Sequence, residues 1–342
     1  MGVLRSKTVK RKTCRMTIVN ITPDLTEWPA SAEWPSRFGT DTINIDGDCS
    51  HLGKLHLRDQ SDVFIEGGKI DSVLLSRCNN IHIKNVHLTG ASQISATSDS
   101  TVVECKFDCV NTQPLRIRSG SHRNVVSNCL FHRTSPIPTH DVVAIQFSDQ
   151  ANLFNEIVGC KILNYTDGIQ TTHRKGELSG NAAGLLIYKC VIGHDKSVQS
   201  CLGSEEALDF KIGGTPQDPV LVRDCYLFGT RLNDTSSGYA VAVHIIAQHI
   251  KFENVTIADC EGGIFITEMK DDKNEWLRSE MHLEDVNFID IHKAYNDNPK
   301  RTGYVIAGPN ALKFENVNYI NCDHILERDE PLSQFGPHVF IE

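Results

Sequence analysis

The sequence contains no apolar run long enough to cross a bilayer as a helix, which takes about 20 residues. It has no basic excess either. Its 34 Lys and Arg stand against 43 Asp and Glu, a net charge of −9, so there is no broad cationic surface for nucleic acid or an anionic membrane. Among its 12 cysteines there is no CxxC pair and no zinc-ligand spacing. Their wide, nearly regular placement reads as buried free thiols in a reducing compartment. The stretch from Met1 to Met16 is basic, but no apolar segment follows it as in a secretory signal. The expected location is the cytoplasm, or a virion if the protein is phage-encoded. Two-residue NG or DG hairpin loops, the mark of a β-sandwich, do not join its strand phrases.

What the chain does have is a repeat. With 40% hydrophobic and 23% charged residues the composition is that of an ordinary folded protein with a large core. One phrase of alternating apolar residues, a polar residue, then Cys or Val recurs nine times, from IHIKNVHL (81–88) through LVRDCYL (221–227) to LKFENVNY (312–319). The repeats align a column of Val86, Cys105, Cys129, Cys160, Cys190, Cys225, Val255, Val286 and Val317, and a second column of Cys260, Ile291 and Cys322. The alternation has the period of a strand, and the interval of roughly 18 to 35 residues is that of one solenoid coil. Small apolar side chains in register suit an interior stack between parallel strands about 4.8 Å apart. The preceding position is often Asn or Asp (Asn85, Asn128, Asp224, Asn254, Asp285, Asn316), as at a bend where short polar side chains satisfy the turning backbone. These features predict an all-β, single-stranded right-handed parallel β-helix of about ten coils. It forms one domain over 1–342, with capping regions at 1–45 and 325–342.

Extra loops at 132–140, 174–183, 193–204, 228–238, 270–281 and 294–303 place a binding face on the middle coils. Aligning the strands there predicts an inward column of Val143, Ile169, Leu208 and Val241. The outward columns are then Asp141, Asp167, Glu206, Tyr239; Ala144, Gln170, Asp209, Ala242; and Gln146, Thr172, Lys211, His244. Glu206, Asp209 and Lys211 share one groove only if the strand breaks strict alternation. This face gathers Asp141, Asp167, Glu206 and Asp209 as hard oxygen ligands for Ca²⁺. Lys211 is the candidate base, with its pKa lowered by the cation, and His244 or Arg231 would protonate or steady a leaving oxygen. Arg116, Arg118, Gln146, Gln170, His173, Arg174, Tyr239 and Glu268 are the candidate substrate contacts. That chemistry fits β-elimination on a uronic-acid polysaccharide. The plainer reading makes Asp141 and Asp167 acceptors for turn amides and His244 a packed histidine.

EEALDFKIGG (205–214) followed by AVAVHIIAQHIKFENVTI (240–257) resembles the β-helical polysaccharide lyases of the chondroitinase B and alginate lyase family, and pectate lyases share its general look. The resemblance implies a Ca²⁺-binding glutamate at Glu206, five residues before the lysine base Lys211. It implies arginine as the acid on the next coil, where this chain has His244. NYTDGIQ (164–170) and SEEAL (204–208) are similar to segments of the polygalacturonases, inverting hydrolases, which would make Asp167, Glu205 and Glu206 the acid–base carboxylates. The GHG and RIK segments of that family are missing. A third reading is a non-catalytic glycan-binding tailspike or adhesin, trimeric if tailspike-like. The expected partner is an acidic polysaccharide or glycan, with no nucleic acid and no membrane.

Overall fold

The computed structural model describes residues 18–28, 41–109, 112–134, 142–172, 180–195, 206–230, 241–267, 269–270, 276–277, 279–292, 304–307, 311–322, 324–326 and 338–341. They form a right-handed parallel β-helix. Three sheets of twelve, eleven and eleven strands, here A, B and C, contain only parallel pairs, and one two-stranded antiparallel ribbon pairs Met269–Lys270 with Trp276–Leu277. Each coil contributes a strand to C, then A, then B. The chain passes from Lys54–Arg58 through Ser61–Glu66 and Lys69–Ile70 to Ser72–Ser76. Eleven strands in sheet C make eleven coils, close to the number the repeat predicts.

The nine residues before the Cys/Val column lie at the bend from A to B, with φ between 51° and 62°. Asn, Asp and Gly reach this left-handed region at low cost, which explains why they dominate the position. Glu104 and Lys189 take the same geometry without that advantage. The amides also tie coils together: Asn254 Nδ2 donates to Asp224 Oδ1 (2.7 Å) and Asn316 Nδ2 to Asp285 Oδ1 (3.1 Å).

The column is the inner wall behind those bends. From Cys105 to Val317 its members are buried within one continuous core. Cysteine does more than fill space. The Sγ atoms of Cys129, Cys160, Cys190 and Cys225 donate to the carbonyls of Val102, Val126, Ile157 and Ile187 on the preceding coil, at 3.4–3.5 Å. Valine fits the volume but lacks this weak donor. The second column holds too: Cys260 pairs with Ile291, and the Cys322 Sγ donates to the Phe288 carbonyl (3.6 Å). The ten described cysteines are free, and burial pushes the Cys109 thiol up to about 12. Native protein treated with iodoacetamide near neutral pH should therefore leave Cys109 and the column cysteines unlabelled, and labelling should follow denaturation. Peptide mapping that found Cys129 or Cys160 alkylated in folded protein would contradict this packing.

A polar ladder runs inside the turn between C and A. Ser121 N donates to Asn152 Oδ1 (3.1 Å), and Asn124 N donates to Asn155 Oδ1 (3.0 Å). These buried amides satisfy turn N–H groups that no strand can reach.

Insertions 132–140, 193–204, 228–238 and 294–303 fall between a strand of B and the next strand of C, whereas 174–183 and 270–281 follow a strand of C. In chain order, insertions therefore enter and leave the strands of sheet C at both ends.

Candidate functional site

The site strands are Leu115–Arg118, Val143–Ser148, Asp167–Thr171, Glu206–Phe210, Val241–Ile245 and Ile264–Ile266. Their register corrects the expected alignment by two residues in two coils. Val143 pairs with Asp167 and Val241 with Glu206, so the inward column is Ile145, Ile169, Leu208 and Val243. His244 accordingly sits beside Asp209, not Lys211, and Gln146 sits beside Gln170. The shift is of two residues, one full period of the strand, so in–out alternation alone could not choose between the registers.

The required break in alternation is present, and it repeats from coil to coil. Ala144, Ala207 and Ala242 belong to the central core together with Ile145, Leu208 and Val243, whereas Val143 and Val241 do not. Two consecutive residues thus face inward on each strand, and the flanking ones, Glu206 and Asp209 among them, face outward. Such an arrangement needs a very small residue at the first inward position. At Gly168 a Cβ would lie 2.4 Å from the Ala207 carbonyl oxygen and 2.4 Å from the Ile192 Cγ2, so only glycine fits.

The irregularity brings Asp167, Glu206 and Asp209 together. Each offers a carboxylate oxygen within 4.8 Å of the other two, and all three side chains are buried. Gln170 Nε2 donates to Asp209 Oδ2 (2.8 Å) and Asp167 Oδ2 (3.0 Å). Lys211 Nζ lies 2.8 Å from Asp209 Oδ2, and its side chain keeps 32% exposure. Burial would raise the Asp209 carboxyl, but the hydrogen bond from His244 and the charges of His244 and Lys211 outweigh it and hold the pKa below the usual value. For Lys211 burial acts to lower the pKa. The charge and hydrogen bond of Asp209, with Asp167 and Glu206 behind it, prevail and raise it. The expectation of a lysine with a lowered pKa is thus reversed for the protein's own charges taken alone.

His244 is not a groove donor. Its Nδ1 is 3.2 Å from Asp209 Oδ1, its Nε2 2.7 Å from Thr267 Oγ1, and its ring stacks on Phe265 with centroids 5.3 Å apart. At 6% exposure it is the packed histidine of the plainer reading, and it fixes Asp209 in place instead of reaching a substrate.

Arg116 and Gln146 lie in the same row as Gln170 and Asp209, whereas Arg118 is bound to Asp149 through Nε (2.6 Å). Asp141, His173, Arg174, Glu205, Arg231, Tyr239 and Glu268 lie outside the described residues. The sequence reading missed Thr267, Phe265 and the small-residue column. The last was visible as VAI, DGI, EAL and VAV, which align on the small residue to give the observed register.

No protein-family model matches the sequence, and comparison with curated proteins returns no match. Solved structures of the same architecture do match. An alginate lyase from Paenibacillus sp. str. FPU-7 superposes with a TM-score of 0.50 at 9% identity, over 91% of this chain and 98% of its own. The tailspike of E. coli bacteriophage HK620 in complex with a pentasaccharide gives a TM-score of 0.52 at 11% identity, over 82% of this chain. Its hexasaccharide complex gives 0.52 at 12%, over 84%. The chain spans only 54 to 58% of those tailspike chains. At such identities the similarity establishes the fold alone.

Proposed function

We propose that this chain is a carbohydrate-active β-helix protein whose sheet C groove cleaves a uronic-acid-containing polysaccharide by β-elimination. The observation that carries the reading is the convergence of Asp167, Glu206 and Asp209 within 4.8 Å, with Lys211 beside them at the groove. Neighbours of the same fold named as an alginate lyase and as a tailspike complexed with oligosaccharide agree with glycan chemistry.

The donor set fits a hard divalent cation such as Ca²⁺, because every ligand atom is a carboxylate oxygen and the nearest cation of the protein offsets only part of the charge. A bound cation would neutralise the sugar carboxylate and offset the charges that hold the proton on Lys211. Lys211 then removes the proton next to that carboxylate, and its ammonium returns a proton to the departing glycosidic oxygen. Gln170 and His244 hold Asp209 fixed during this exchange.

Alginate, pectate and glycosaminoglycans should each be incubated with the protein while the ultraviolet absorbance of the unsaturated uronate is followed. New reducing ends without that absorbance would replace elimination by hydrolysis. Glycan binding with neither signal would leave a binding protein. Cation binding has its own readout: Ca²⁺ at 100 times its Kd should stabilise the fold by about 2.7 kcal/mol, seen as a higher Tm. Glu206→Gln should remove that shift, and an equal Ca²⁺ response in the variant would rule out this carboxylate cluster.

A further inference from the structure

Five described arginines, Arg58, Arg77, Arg118, Arg123 and Arg223, are ion-paired with a carboxylate. Arg116 is not: its guanidinium donates to the neutral amide of Gln113. It is half-buried on the outer face of sheet C, where it is flanked by Gln93 and Gln146 in register. A guanidinium keeps its charge at any working pH, and one half-buried on this face without an anion is a ready partner for a carboxylate.

Its distance from the carboxylate centre is set by the sheet. Arg116 pairs with Gln146, Gln146 with Gln170, and Gln170 with Asp209. Three strand steps of about 4.8 Å separate Arg116 from Asp209 by about 14 Å along the helix axis. One step is close to the advance per residue of an extended 1,4-linked glycan. The two glutamines between them are oriented from the acidic end. Asp209 and Asp167 only accept, so Gln170 must turn its amide nitrogen to them. Its Oε1 then accepts from Gln146 Nε2 (2.6 Å), which leaves the Gln146 Oε1 as an acceptor for a sugar hydroxyl.

We infer that Arg116 forms a subsite for the carboxylate of an acidic sugar three residues along the chain from the bond at Asp209 and Lys211, with the glycan lying parallel to the helix axis over Gln146 and Gln170. This rests on the proposed glycan reading of the groove. It makes the protein a reader of chain length as well as of charge.

The test is a length series of oligouronates, from trimer to octamer, with wild type, Arg116→Ala and Arg116→Lys. The ratio of kcat/KM for hexamer to that for trimer should fall about 10–100-fold in Arg116→Ala, the worth of one charge-assisted hydrogen bond, with partial recovery in Arg116→Lys. Carboxyl-reduced oligomers, which cannot undergo elimination, should bind wild type and Arg116→Ala equally when binding is measured by calorimetry. A loss equal at every length, or none, would overturn the subsite. If wild type cleaves no uronate, the elimination reading fails. Calorimetric binding of the same series to wild type and Arg116→Ala then decides the subsite, and absence of binding by wild type overturns it as well.

Discussion

Lys211→Ala is expected to reduce turnover of a susceptible uronate polymer by about 10²–10⁴-fold, the usual worth of a positioned proton-transfer group. The side chain ends the line of carboxylates, with Nζ 2.8 Å from Asp209 and partial exposure, so it alone among the described cations of the cluster is both next to the carboxylates and open to a substrate. His244 is closed off by Asp209, Thr267 and Phe265. Removing Lys211 leaves Asp209 its bonds from Gln170 and His244, so the coil should stay folded and circular dichroism should be unchanged. Lys211→Arg keeps the charge but cannot give up a proton, and should be nearly as inactive while still binding substrate. Full activity in Lys211→Arg would reassign the residue from proton transfer to charge alone. Full activity in Lys211→Ala would remove it from the chemistry altogether.

Gly168→Ala should lower stability by about 1–3 kcal/mol, the range for overpacking a close-packed interior. It should cost more activity than that loss explains. The added Cβ meets the Ala207 carbonyl and the Ile192 side chain at 2.4 Å, and neither can yield without moving a strand. Ala207 directly follows Glu206, and Gly168 directly follows Asp167, so the displacement acts on two of the three clustered carboxylates. Gly53→Ala is the matched control. It places a side chain at φ 72°, ψ −144°, a region kept almost wholly for glycine, with nothing within 4 Å, so it should cost about 1–3 kcal/mol from backbone conformation alone and leave turnover intact. Assays well below both melting temperatures would separate the two. Equal activity in the two variants would show that the tight approach at Gly168 serves packing without shaping the site.

The architecture was legible in the sequence because it is written as short-range alternation and repeated many times. The Cys/Val column needed only that each coil return to the same place, and its polar neighbour only that the chain turn there. Asp167 aligned with Glu206, and Gln170 with Asp209, for the same reason: each coil carries one DGIQ-like or EALD-like phrase with a single polar pattern. Val143 and Val241 failed because in–out alternation repeats every two residues, so a slip of two leaves the pattern unchanged while moving His244 from Lys211 to Asp209. Side-chain identity determined which residues could do chemistry. Only tertiary packing decided which of them met: two inward residues in succession, permitted by Gly168 and its alanine neighbours, turn Glu206 and Asp209 to the same side. The charge state of Lys211 was likewise beyond the sequence, since it depends on three carboxylates that come together only when successive coils stack.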